Sequence, residues 1–119
     1  MDARRYEYPA REPGTRSWLK NHRRMLSHMR TKAELDLAEA ESAFTEAESA
    51  YQRSGTSVNA AQLEIATKKR RDKQRNLSWQ YRKREQLDRH GIVLMDNGDT
   101  PRELDSVERE WNELDSMKH

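Results

Sequence analysis

Apolar residues recur at steps of three and four from Leu19 to Tyr51, through Leu26, Met29, Ala33, Leu37, Ala40, Phe44 and Ala47, with His22 filling the open place and one inserted step near Ala33 to Leu37. That spacing keeps one face of a helix apolar and predicts a helix over 17–53, begun by Thr15 or Ser17 as cap. A second stripe, Leu63, Ala66, Arg70, Leu77, Tyr81, Arg84 and Leu87, predicts a helix over 59–90. Asn59 is its expected cap, Gln62 stands at the capping-box position, and Val58 with Leu63 has staple spacing. Residues 54–58 are the expected turn, with Gly55 taking the left-handed conformation that ends the first helix. Gly91 after His90 marks the end of the second.

The remaining stretches are short. Ile92 to Met95 is an apolar connector, Asp96 to Asp99 a turn, and Thr100-Pro101-Arg102-Glu103 reads as cap, first-turn proline and reciprocal glutamate. A last helix then runs to about Met117 with Leu104, Val107, Trp111 and Leu114 on one face. Residues 1–16 carry Pro9, Pro13 and Gly14 without periodicity, which predicts an extended basic arm with Tyr6 and Tyr8. The expected fold is all-α: a long, coiled-coil-like antiparallel helical hairpin over 17–90, with the N-terminal arm and a connector plus short amphipathic acidic helix over 91–119.

Charge decides how the two long helices pair. From Ala33 to Gln52 there are six acidic residues and no basic one; from Lys68 to Arg75 there are six basic residues and one Asp72. If the chain turns near residue 56, residues facing each other sum to about 112, which sets the acidic run along the basic run. A hairpin satisfies both runs, whereas a parallel self-dimer would align like charges. By segment the net charge alternates: +6 over 1–32, −6 over 33–52, +7 over 53–90 and −5 over 91–119.

Composition narrows the function. At 119 residues the chain has room for one domain, and Leu, Ile, Val and Phe together number 16. That supply builds a narrow seam and leaves little with which to wall off a reaction pocket. There is no cysteine, and no apolar run approaches membrane-spanning length. The first residues lack the apolar stretch of a secretory signal, so a soluble intracellular protein is expected, with an organelle or a virion left open. No glycine-rich phosphate loop or nucleophile elbow is present, and an enzyme is not expected. His22 and His28 lie six apart and do not share a helix face as zinc ligands would. The Asp96–Asp99 turn lacks the later oxygen ligands of a calcium loop. Neither metal nor cofactor is expected.

Two readings follow. Three tryptophans in so polar a chain exceed what its thin core should bury, and aromatic side chains among arginines are typical of protein contact centres. On this reading the chain is a non-enzymatic structural or adaptor subunit of a phage particle or multisubunit complex. It docks through the arm, Trp18, Trp79, Tyr81 and the Leu104/Val107/Trp111/Leu114 face, with Trp18 expected to stand exposed. The alternative is a small nucleic-acid-binding protein. For it, Arg23, Arg24, Arg30, Arg82, Lys83, Arg84 and Arg89 concentrate cations at the open end of the hairpin, where they could track a phosphate backbone.

Overall fold

The structure, a computed structural model, describes residues 18–96 and 100–118, apart from the side chains of residues 115 and 118. The arm over 1–16, the Thr15 and Ser17 caps and most of the Asp96–Asp99 turn lie outside the described residues. Helix α1 spans Trp18–Arg53, α2 spans Ser57–His90 and α3 spans Leu104–Lys118; a two-residue strand β1 (Ile92–Val93) pairs antiparallel with β2 (Arg102–Glu103). The fold is the all-α helical hairpin that the stripes predict. The described chain falls into two compact units. An end unit holds α1 up to Met29 and everything from Tyr81 onward; a turn unit holds Arg30–Gln80.

In the turn unit the antiparallel register matches the charge argument. Lys73 Nζ lies 3.9 Å from an Asp36 oxygen, and the Arg70 guanidinium sits 3.8 Å above the centre of the Phe44 ring. The guanidinium over a ring face gains from the ring's negative quadrupole, so Arg70 contributes to the seam although it is charged. Buried apolar residues here are alanines alone, Ala33, Ala40 and Ala66. Small side chains let the helix backbones approach but remove little apolar surface from water.

The turn differs from its expected chemistry. Thr56, not Asn59, caps α2: its Oγ1 accepts the Asn59 N–H at 3.2 Å, and its carbonyl accepts the first helical N–H, from Ala60. Val58 is therefore inside the helix and 69% exposed, which removes the expected staple. Asn59 closes the other helix instead. Its Nδ2 donates to the Ser54 carbonyl at 2.7 Å, and at 3.2 Å to the Ala50 carbonyl, which also accepts the Ser54 N–H at 3.0 Å. With the Ala50 carbonyl held by the Ser54 N–H and the Ser54 carbonyl by a side chain, no left-handed residue is needed, and Gly55 does not have a positive φ.

In the end unit Gly91 does take the left-handed conformation, φ 63°, and its N–H returns to the Leu87 carbonyl at 3.1 Å. The start of α3 lies three residues beyond Pro101. Arg102 and Glu103 are drawn into the ladder with Val93 and Ile92, and the Leu104 N–H donates to the Gly91 carbonyl at 2.7 Å. Tertiary pairing thus wins over the local cap signal, and it anchors α3 to the end of α2. Trp18, Leu26, Leu87 and Val93 form the buried cluster, joined by Leu19, Met25, Met95, Leu104, Val107 and Trp111.

Asn59→Ala should lower stability by about 1 kcal/mol, because the Ser54 carbonyl loses its donor and the Ala50 carbonyl keeps only the Ser54 N–H. A urea midpoint unchanged from that of the parent chain would show that Asn59 does not hold the turn.

Candidate interaction site

The end unit brings together most of the side chains that sequence singles out, though not as an exposed patch. Trp18 is 1% exposed, so the expectation of an exposed Trp18 is corrected. It sits one turn before His22 on the same face of α1, and the two rings stack with centroids 4.4 Å apart and planes at 14°. β1 and α3 supply the apolar surface that the two long helices lack, and this is what buries the indole. Leu104, Val107 and Trp111 are half-buried against that cluster, so the α3 face expected to meet a partner is turned largely to its own core. Leu114 remains 46% exposed, and Met117, which the apolar stripe omitted, is 81% exposed. Together with Arg109, Asn112, Glu113 and Ser116 it lines a shallow concavity along α3. Tyr81 is 49% exposed; Trp79 is half-buried and belongs to the turn unit.

The seven expected cations do not form one unneutralised cluster. Lys83 is only 3% exposed, and its ammonium donates to Asp96 Oδ1 at 2.8 Å. Arg84 Nε donates to Asp88 Oδ2 at 2.6 Å, its Nη1 reaches Ser27 Oγ at 3.4 Å, and Arg23 lies 3.4 Å from the other Asp88 oxygen. Arg89 pairs with Glu85 at 3.8 Å. Arg30 belongs to the turn unit and pairs with Glu34 at 3.8 Å. Arg24 and Arg82 are exposed. The hydrogen bond from Arg84 holds the Asp88 carboxyl below the usual carboxylate range, and the charges of Arg84 and Arg23 add to the effect. The exposed pairs contribute little to stability. Lys83 and Asp96 differ, since a buried ammonium that lost its carboxylate would be left uncompensated.

The charge balance in the turn unit runs the other way. The acidic and basic runs lie side by side, yet among the described residues Glu39, Glu41, Glu46, Lys68, Lys69, Arg71 and Arg75 make no ion pair. Compensation by the facing helix therefore supplies one ion pair, Lys73–Asp36, rather than the whole run.

Among the described residues, His22 has an acid–base chemistry that folding changes strongly. Burial removes the water that would solvate an imidazolium, and the charges of Lys83 and then Arg84 oppose it further. Asp96 acts in the opposite sense, and the pKa falls to about 4. Among the described residues no group of three or more His, Asp or Glu is placed to hold a metal ion, and no helix is long and apolar enough to cross a membrane. Asn21, 4% exposed, has an Nδ2 with no hydrogen-bond acceptor among the described residues. Sequence reasoning overlooked the Lys83–Asp96 pair and the Trp18–His22 stack; the spacing of four between Trp18 and His22 was the available signal for the second.

Because the folded pKa of His22 lies below its unfolded value of 6.5, the unfolded chain takes up a proton that the fold refuses between those values. Stability is full above pH 6.5 and falls as pH drops toward about 4, by roughly 3 kcal/mol from this group. His22→Phe keeps a ring in the stack and should flatten the urea midpoint across that window. A parent chain with a constant midpoint there would contradict the buried neutral imidazole. No family model, curated protein or solved structure matches this chain.

Proposed function

We propose that the chain is a non-enzymatic structural or adaptor subunit, docking into a larger protein assembly through the outward face of α3. The observation that carries this reading is the pairing of apolar exposure and charge neutralisation in one unit. Leu114 and Met117 stand out from α3 among polar side chains, while Arg23, Lys83, Arg84 and Arg89 are each engaged by a carboxylate. An exposed methionine and leucine at a spacing of three on an acidic amphipathic helix suit a groove in a partner protein, which reads such anchors along one helix face. The inner anchors Leu104, Val107 and Trp111 fix the helix on its own core, so the outer face is presented on a rigid support rather than by a loop.

The nucleic-acid reading is the weaker of the two for this unit. A phosphate backbone gains most from cations that it need not compete for, and here carboxylates already hold four of them. Specific recognition of bases would also need side chains projecting into a groove, and the half-buried Trp111 and buried Trp18 are committed to packing.

Affinity capture with the whole chain as bait should retain a stoichiometric protein partner, and Leu114→Lys with Met117→Lys should lose it while helicity and unfolding midpoint stay unchanged. Fluorescence anisotropy with labelled duplex and single-stranded oligonucleotides supplies the opposing outcome. Micromolar binding at about 50 mM salt that collapses by about 200 mM would overturn the subunit reading in favour of nucleic acid.

A further inference from the structure

The turn unit carries a second surface, independent of α3. Val58 and Ile65 lie seven apart on α2 and are 69% and 61% exposed; Ala61, between them at steps of three and four, is exposed on the same helix face. On α1, Ala43 is exposed, and Ala47 and Ala50, half-buried at the same steps, flank the seam without bulky side chains. The register fixed by Lys73–Asp36, Arg70–Phe44 and Asn59–Ala50 sets these two stretches beside each other in the hairpin. Helical rotation in an antiparallel pair turns both to the same side. Bordering them are Glu39 and Glu46 on α1, and Lys68 and Lys69 on α2, none of which makes an ion pair among the described residues.

We infer that this side of the turn unit is a homodimer interface, in which a two-fold axis lays α1 of each copy on α2 of the other. Three observations select a second copy over other occupants. The surface is apolar at its centre, where two exposed β-branched side chains would find two smooth alanine faces. Its borders carry opposite signs on the two helices, and a two-fold operator brings the acidic helix of each chain to the basic helix of its mate. Finally, the charges to be matched are equal in number: the acidic run and the basic run each hold six. A polyanion such as nucleic acid would be met by one helix and repelled by the other.

The buried alanines make the same case from packing. Ala33, Ala40 and Ala66 are the buried apolar residues of the turn unit, and two helices with such a seam gain little from each other. Doubling the hairpin into four helices gives Val58 and Ile65 an interior and supplies the ion pairs that the single hairpin leaves unmade. Laying α1 on α2 of the mate, rather than α1 on α1, also avoids like-charge alignment.

Sedimentation equilibrium of the whole chain tests this. The parent chain should sediment as a dimer at micromolar concentration, with association weakened by added salt. Glu39→Lys with Glu46→Lys should weaken association by at least about tenfold, and so should Lys68→Glu with Lys69→Glu. An equimolar mixture of the two variants should recover a dimer, since each then offers the charge that the other needs. Ile65→Glu, at a site exposed in the single hairpin, should give a monomer of unchanged helicity. A parent chain that is monomeric throughout would overturn the inference. So would a dimer indifferent to both reversals, a mixture that fails to recover association, or a monomer that binds duplex DNA through the basic helix.

Discussion

Burial of Trp18 is the interaction on which the end unit depends. Two helices meeting along a narrow stripe cannot enclose an indole, because each leaves its outer flank in water. Here β1 and α3 close over it, with Val93, Leu104, Val107 and Trp111 completing the cluster around Leu26 and Leu87. The ladder between Ile92–Val93 and Arg102–Glu103 and the Leu104–Gly91 hydrogen bond hold that closure in place. Removing a side chain so enclosed typically costs about 3–5 kcal/mol, a large share of the stability of a chain this size. The stack on His22 ties the same core to pH, since the imidazole is accommodated only while neutral.

The two units divide the tasks of packing and charge differently. In the end unit the apolar core is substantial and cations find carboxylates: Lys83 with Asp96, Arg84 and Arg23 with Asp88. In the turn unit the core is thin and, among the described residues, most charged side chains make no ion pair, apart from Lys73–Asp36 and Arg30–Glu34. A surface with spent charge and exposed Leu114 and Met117 invites apolar contact. One with unspent charge of both signs and exposed Val58 and Ile65 invites a self-complementary mate. The same chain thereby presents two chemically distinct faces.

Much of this architecture was legible in the stripes. The helices, their order, the antiparallel register and the stop at Gly91 follow from periodicity, segmental charge and one glycine, because those signals are local or depend only on where the chain turns. What the sequence did not disclose depends on contacts between distant segments. Thr100-Pro101 looks like a helix start, but the pairing of Arg102 and Glu103 with β1 delays α3 to Leu104. Trp18 looks exposed at a helix beginning until residues from 92 onward cover it. Asn59 has the right chemistry for a cap, yet it serves the helix that precedes it. Counting cations at the open end missed the carboxylates of Asp88 and Asp96, which engage Arg23, Arg84 and Lys83 within the fold.

Native-state hydrogen exchange on dilute protein tests the central claim, that the closed cluster around Trp18 is the stable nucleus of the chain. Amides around Leu26 and Leu87 should exchange slowest, opening only with global unfolding, while those between Ser42 and Thr67 exchange faster through local opening. Trp18→Ala should abolish the difference. Equal or greater protection between Ser42 and Thr67 in the dilute parent chain would contradict the account, because a seam of alanines would then be outperforming the tryptophan core.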